Sequence, residues 1–210
     1  MTVAVFIFAK PPRVGVSKTR LAVGVGQARA AALARAFLAD TIEMLRRLPV
    51  EVVLATTEPT ADFGLKDAPP RIDQGQGELG ARLERVLRDG LKQAEVVVAM
   101  GADSPGLSDA HVEGMLEQLS THDAVFIPAT DGGFVALALR VVPPHLFDSV
   151  PWSRPNTLVA LRSRMERLGL RVASVDAWFD IDVLADLEHF REHVSVSAAP
   201  NTWSVLGDVA

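Results

Sequence analysis

"VAVFIFAKPPRVGVSKTR", Val3 to Arg20, joins an apolar run to a basic one, and the fold follows from how the first half is read. Val3 to Ala9 is short, β-branched and continuously apolar, the pattern of a strand covered on both faces. Three further runs share it: Val50–Thr56, Glu95–Met100 and Asp123–Ala129. Between them lie helical stretches. In "QARAAALARAFLADTIEMLRRL" the residues Ala30, Ala34, Phe37, Leu38, Thr41, Ile42 and Leu45 recur at intervals of three and four and trace one buried stripe. "ELGARLERVLRDGL" and "SDAHVEGMLEQL" repeat that spacing, the second with Ser108 as its expected N-cap. Alternation of strand and helix through the first 130 or so residues predicts an α/β fold with a mostly parallel sheet and right-handed crossovers. Beyond Asp131 the rhythm changes: a strand over Phe134–Arg140, a helix over Asn156–Leu168, "RVASV" and "WFDIDV", then a last helix over Leu184–His193.

With 210 residues and no repeat or low-complexity linker, the chain fits one domain, expected over residues 1–193, followed by a tail over 194–210. Trp203 and Leu206 are the tail's candidate docking residues, onto the body or onto a partner. No apolar run is long enough to cross a membrane, and Met1 leads at once into a strand, so a soluble, unexported, cytoplasmic protein is expected. The absence of cysteine excludes disulfides, zinc–thiolate sites and thiol nucleophiles. A net charge of −5 argues against a general nucleic-acid binder, which carries a broad basic face.

The basic excess is local. Lys10, Arg13, Lys18 and Arg20 crowd one loop, and no carboxylate occurs before Asp40. Solvated loops seldom concentrate one sign so cleanly, so the loop reads as an anion site, with a phosphate-bearing ligand as first candidate. It is not a P-loop: Pro12 and Ser17 stand where that motif needs glycine.

In open α/β sheets ligands gather beyond the carboxyl ends of strands. Asp103 in "MGADSPGL" follows one such end and serves either as a magnesium-type ligand or as a turn residue. In "WFDIDV" strand alternation would point Asp180 and Asp182 to one side, where Asp182 above all either holds a metal or caps the next helix. Ala185 stands where a capping box begun at Asp182 would need Glu or Gln. Asp131-Gly132-Gly133 reads as a hairpin turn or as backbone open to a ligand. Trp152 and Ser153 line an acceptor pocket or anchor the core. Gln74, Gln76, Gly77 and Gly80 offer a base-reading loop or simply a polar turn. His189 and His193 lie one helical turn apart, but "HFREH" lacks the glutamate placement of a zinc-protease helix, and Ser104 is not in a nucleophile elbow.

Taken in order, "AKPPRVGVSKTRL", "IDQGQGELGARL", "GADSPGL", "DGGF", "PWS" and "DID" resemble a bacterial family of nucleotide-diphospho-sugar-transferase-fold proteins, its arsenosugar-type glycosyltransferase or unknown-function branch. More distantly they resemble the guanylyltransferases that act on phospholactate and on molybdenum cofactor. The resemblance runs from about Val3 to Phe190 and implies a Rossmann-like three-layer α/β/α sandwich. It matches Lys10, Arg13, Lys18 and Arg20 to the phosphate loop, Gln74, Gly77 and Gly80 to the base-proximal loop, with Ala102 among the nucleotide contacts. Asp103 and Asp182 match the pair that holds Mg²⁺ or Mn²⁺. Gly132, Gly133, Trp152 and Ser153 fall on the acceptor side. Phe134 and Val183 depart from the family's usual tyrosine and threonine, and the first removes an acceptor-side hydroxyl.

The resemblance implies a metal-dependent transferase with a nucleotide-activated donor and a small acceptor, possible as a homodimer. Glycosyl transfer, with Asp131 as general base and Lys18 on the departing phosphates, leads. Nucleotidyl transfer and non-catalytic nucleotide binding are the alternatives.

Overall fold

The structure, a computed structural model, describes residues 1–207. Strand β1 (Val3–Phe8) alternates its side chains between two cores. Val3, Val5 and Ile7 enter one with Leu38 and Ile42, whereas Ala4 and Phe6 enter the other with Leu83, Val86 and Leu87. Helices therefore cover both faces, which is why the strand is apolar throughout.

After the basic loop come α1 (Thr19–Val25) and α2 (Gln27–Leu45), then β2 (Glu51–Thr56) and β3 (Arg71–Asp73). All seven stripe residues of α2 are buried. The chain continues through α3 (Leu79–Gly90), β4 (Val96–Gly101), α4 (Asp109–Gln118), β5 (Ala124–Pro128) and β6 (Phe134–Leu139). It closes with α5 (Thr157–Arg167), β7 (Val172–Ser174), α6 (Leu184–His193) and α7 (Pro200–Leu206). The seven strands form one sheet in the order β3-β2-β1-β4-β6-β5-β7, in which β6 alone runs antiparallel to its neighbours. Helices α2 and α4 pack on one face, α3 and α5 on the other. This is the expected α/β/α sandwich with a mostly parallel mixed sheet.

Strand order reverses between β1 and β4. The chain leaves β1 to build β2 and β3 on one side, then returns to build β4 on the other. Loops after β1 and β4 diverge there and open a crevice, the usual ligand position in such sheets.

Two expectations need correction. The polar loop before α3 contains β3, three residues paired with β2. "WFDIDV" is not a strand: only Trp178 bridges to the sheet, at Ala129. Ser108 is the N-cap of α4 as expected, though its hydroxyl makes no capping hydrogen bond and lies 2.7 Å from His111 Nδ1.

A third core forms behind α2. Leu21 of α1, Leu33 and Phe37 of α2, Ile181, Leu187 and Phe190 around α6, and Leu206 of α7 meet there. Phe37 is fully buried, and burial of such a side chain stabilises by roughly 1.5–3 kcal/mol. Asp40, buried on α2, reaches into this layer. Its two oxygens accept from the backbone N–H and side-chain amide of Asn201 and from the N–H and hydroxyl of Thr202 at 2.5–2.9 Å. These are first-turn groups of α7, so the tail segment is capped by, and docked on, the body. Burial pushes the Asp40 carboxyl up, against the pull of those hydrogen bonds.

Among the described residues no helix is long and apolar enough to cross a membrane.

Candidate active site

Lys18 sits at the N-cap of α1 with a left-handed backbone, φ 51° and ψ 42°. Its side chain is only 4% exposed. The ammonium lies 3.0 Å from Asp103, at the end of β4, and 2.9 Å from Asp182, just before α6. Three segments far apart in sequence thus converge on one nitrogen at the crevice. Burial alone would push the Lys18 ammonium down, but the two carboxylates outweigh it and hold it above the ordinary lysine value. Burial likewise pushes against Asp182, and Lys18 overrides it, holding that carboxyl below the usual range.

Asp182 is available to Lys18 because it does not cap the helix. Helix α6 starts at Leu184, its N-cap is Val183, and Asp186 reaches back to the backbone N–H groups of Asp182 and Val183 at 2.8 and 2.9 Å. The capping position expected at Ala185 is therefore one residue off. Ile181 fixes the segment from below: its side chain is buried and its N–H donates to Asp103 O at 2.9 Å.

Two cavities flank this centre. One, of about 300 Å³, is lined by Lys10, Lys18, Arg20, Ala102, Asp103 and Asp182. The other, of about 350 Å³, takes in Asp103, Asp131, Phe134, Trp152, Ser153 and Arg154. Asp103 belongs to both and stands at their junction, with Asp182 on the side of the first.

The unbroken positive field expected from the basic loop is reduced in the fold. Arg13 pairs with Glu58 at 2.7 Å on the surface, Arg20 reaches Asp182 at 3.4 Å, and Lys18 is held by the acidic pair. Gln74 has both ends of its amide occupied, donating to Ala55 O at 2.7 Å and accepting from Arg82 at 2.9 Å. Gly77 lies on the exposed turn before α3, at φ +106°. Gly80 is a packing residue, since a Cβ there would stand 2.8 Å from Phe147 O and 3.2 Å from the Trp152 indole nitrogen. None of Arg13, Gln74, Gly77 and Gly80 lines either cavity.

On the second cavity, Asp131 accepts from the N–H of Gly133 at 2.8 Å, which orients its carboxylate. Gly132, at φ +92°, lies so close to Pro155 O that a Cβ would fall 1.9 Å from it. Phe134 and Trp152 meet edge to face at 6.4 Å and give the cavity an aromatic wall. The missing tyrosine hydroxyl leaves that wall wholly apolar at Phe134.

Asp180, in the sequence the second acid of the Asp180/Asp182 pair, has a place of its own in the fold. It does not alternate with Asp182 as in a strand; it turns inward to accept from the Ser104 hydroxyl and lines the second cavity. Burial, with Asp103 and Asp131 nearby, raises its carboxyl to about 6, against the pull of Ser104 and Lys18. Arg154, on the same wall, had no sequence signal beyond being a charge in a turn.

Residues 33–154 match the family described as "Uncharacterized protein conserved in bacteria (DUF2064)". A solved structure from Desulfovibrio desulfuricans G20, provisionally named a nucleotide-diphospho-sugar transferase, is 27% identical with a TM-score of 0.87, covering 98% of this chain and 94% of that one. A cytidylyltransferase from Leptospira borgpetersenii is 15% identical, with a TM-score of 0.62 over 98% of this chain and 91% of its own. Glucosyl-3-phosphoglycerate synthase from Mycobacterium tuberculosis is 15% identical, with a TM-score of 0.55 over 95% and 80%. Comparison with curated proteins gives no match. The last two structures share the fold, and the family match spans more than half of the chain: the protein belongs to the DUF2064 family.

Proposed function

We propose that the protein is a metal-dependent transferase that takes a nucleotide-sugar as donor and a small hydroxyl-bearing molecule as acceptor. The observation that carries this reading is the convergence of the phosphate-loop lysine and two carboxylates in one cavity, which meets a second at Asp103.

The acidic pair fits a divalent ion. A cation already sits between the two carboxylates, the Lys18 ammonium, and the donors are hard oxygens of the kind Mg²⁺ and Mn²⁺ prefer. Asp103 and Asp182 would hold the ion, which when bound supplies positive charge to the donor's phosphates. Lys10, Lys18 and Arg20 bind the phosphate oxygens from the first cavity, with Ala102 beside them. Lys18 passes from the carboxylates to the phosphates as donor and ion arrive, so its ammonium never stays buried without an anionic partner.

In the second cavity Asp131 takes the proton of the acceptor hydroxyl, whose oxygen forms the new bond to the sugar's anomeric carbon. The bond from that carbon to the diphosphate breaks, and the nucleoside diphosphate leaves with the electron pair. Trp152, Phe134 and Ser153 seat the acceptor or sugar, and Gly132 and Gly133 let it approach the backbone. Three carboxylates line this cavity, Asp103, Asp131 and Asp180, against one guanidinium, Arg154. That balance disfavours a phosphorylated acceptor and so favours glycosyl over nucleotidyl transfer. The neighbour from Mycobacterium tuberculosis, a glucosyl-3-phosphoglycerate synthase, is seen with Mn²⁺ and UDP. A cytidylyltransferase on the same fold keeps the second chemistry as the alternative outcome.

A thermal-shift panel of nucleoside diphosphates, triphosphates and nucleotide-sugars, with and without Mn²⁺, tests the reading. Metal-dependent stabilisation by a nucleotide-sugar and its diphosphate is expected. Preference for a triphosphate assigns nucleotidyl transfer, and metal-independent binding without turnover assigns a sensor.

A further inference from the structure

The last turns of α6 carry ligating groups that this reading leaves unused. His189, Glu192 and His193 are all exposed, and one donor atom from each lies within 4.8 Å of the others. Spacings of three and four place them on one helix face. The two imidazoles lie 4.0 Å apart between centroids, and the His189 ring is braced edge to face on Phe179 at 4.7 Å. Nδ1 of His193 is 2.9 Å from the backbone oxygen of His189. An N–H donated there leaves Nε2 as the electron-pair donor, the arrangement by which metal-bound histidines fix their tautomer. The cluster also lies at the helix C-terminus, where the backbone dipole favours a cation.

We propose that His189, Glu192 and His193 form a second metal site, for zinc or a similar borderline divalent transition ion, apart from the acidic pair in the crevice. Two imidazoles and a carboxylate are a zinc donor set with a further position left for water. Mg²⁺ discriminates against nitrogen donors, so the two sites sort ions by ligand chemistry. The helix they share is joined at each end to a loop that carries one of the crevice carboxylates. Asp182 and Val183 precede it, and Val194 after it packs so tightly on Gly106 that a Cβ there would lie 2.4 Å from a valine methyl. An ion tying three side chains of the last turns together stiffens the element that bridges the Asp182 and Asp103 loops.

The test is calorimetric titration of the full chain, freed of any purification tag, with Zn²⁺, alongside the visible spectrum of the Co²⁺-loaded protein. One saturable Zn²⁺ per chain is expected, retained in the Asp103→Asn/Asp182→Asn variant. His189→Gln and His193→Gln should each weaken it by about tenfold or more, with helical circular dichroism unchanged. Co²⁺ should give a nitrogen-ligand absorption band that His193→Gln removes. Absence of saturable binding up to millimolar Zn²⁺, an affinity in both histidine variants unchanged from that of the parent, or loss only in the aspartate variant overturns the site. The transferase reading stands or falls separately, on nucleotide binding.

Discussion

At Lys18 a left-handed backbone, near-complete burial and two carboxylate partners coincide. The backbone costs a lysine on the order of 1–2 kcal/mol, and non-glycine residues keep such conformations mainly where a site demands them. Lys18→Met should act in opposite directions on two ligands. With the ammonium gone, Asp103 and Asp182 lose the cation they share and keep only Arg20 at 3.4 Å from Asp182, so Mn²⁺ should bind the nucleotide-free protein more tightly. UDP should bind more weakly, by about 1.5–3 kcal/mol if a charge-assisted bond is lost. Calorimetry reads both, and a Mn²⁺ affinity that stays put would remove Lys18 from the metal position. Asp180 supplies a pH test. Its carboxyl stands at about 6 in the fold against 3.8 ordinarily, so folding takes up a proton between those values. The stability contributed by the neutral acid is present below about pH 4 and is lost as pH rises through 6. Asp180→Asn should therefore be more stable than the parent at pH 8, by no more than about 3 kcal/mol, and level with it near pH 4. Urea melts at the two pH values decide; a variant less stable at pH 8 would falsify the assignment of burial as the cause.

Helix ends set the site's geometry at the next scale. Because Asp186 closes the first turn of α6, Asp182 keeps its carboxylate for the crevice. Asp186→Ala should cost about 0.5–2 kcal/mol of stability and loosen Asp182 with it, visible as weaker Mn²⁺ binding. Gly132 is constrained more severely. Its positive φ and the contact with Pro155 leave no room for a methyl group, so Gly132→Ala should displace the loop that carries Asp131 or unfold it locally. Amide exchange across residues 130–134 and 151–157 would register this, and unchanged protection there would count against the packing argument. The sequence marked both glycines of this turn as open backbone, but the proline oxygen facing one of them comes from a segment some twenty residues later.

For the molecule as a whole, the third core ties the crevice to the end of the chain. Leu21 of α1, Ile181 and Leu187 at α6 and Leu206 of α7 share it, so Lys18 and Asp182 rest on the same layer that docks the tail. Asp40→Ala strips four hydrogen bonds from the first turn of α7. Leaving those buried donors unpaired should cost about 1–3 kcal/mol and expose α7 to proteolysis without removing the sheet. Ligand linkage belongs to this scale too. Mn²⁺ and UDP together should raise the melting temperature more than the sum of each alone, because each brings charge that the other neutralises. Asp103→Asn should abolish that synergy with little loss of intrinsic stability, since its carboxylate is about half exposed. A large drop in stability with the synergy intact would make Asp103 a turn residue.

What the chain determined alone was the alternation of strands and helices, because continuous β-branched runs and three-four spacing are local properties of neighbouring residues. It also located the basic loop and Asp103 and Asp182 beside their elements. It could not show that Lys18 joins the two acids while Arg13 turns aside to Glu58, or that Gln74 is spent inside the fold. Those outcomes depend on which loops the strand order brings together. Charge acts over a few ångströms of space, whatever the separation along the chain, and only the closed sheet sets those distances.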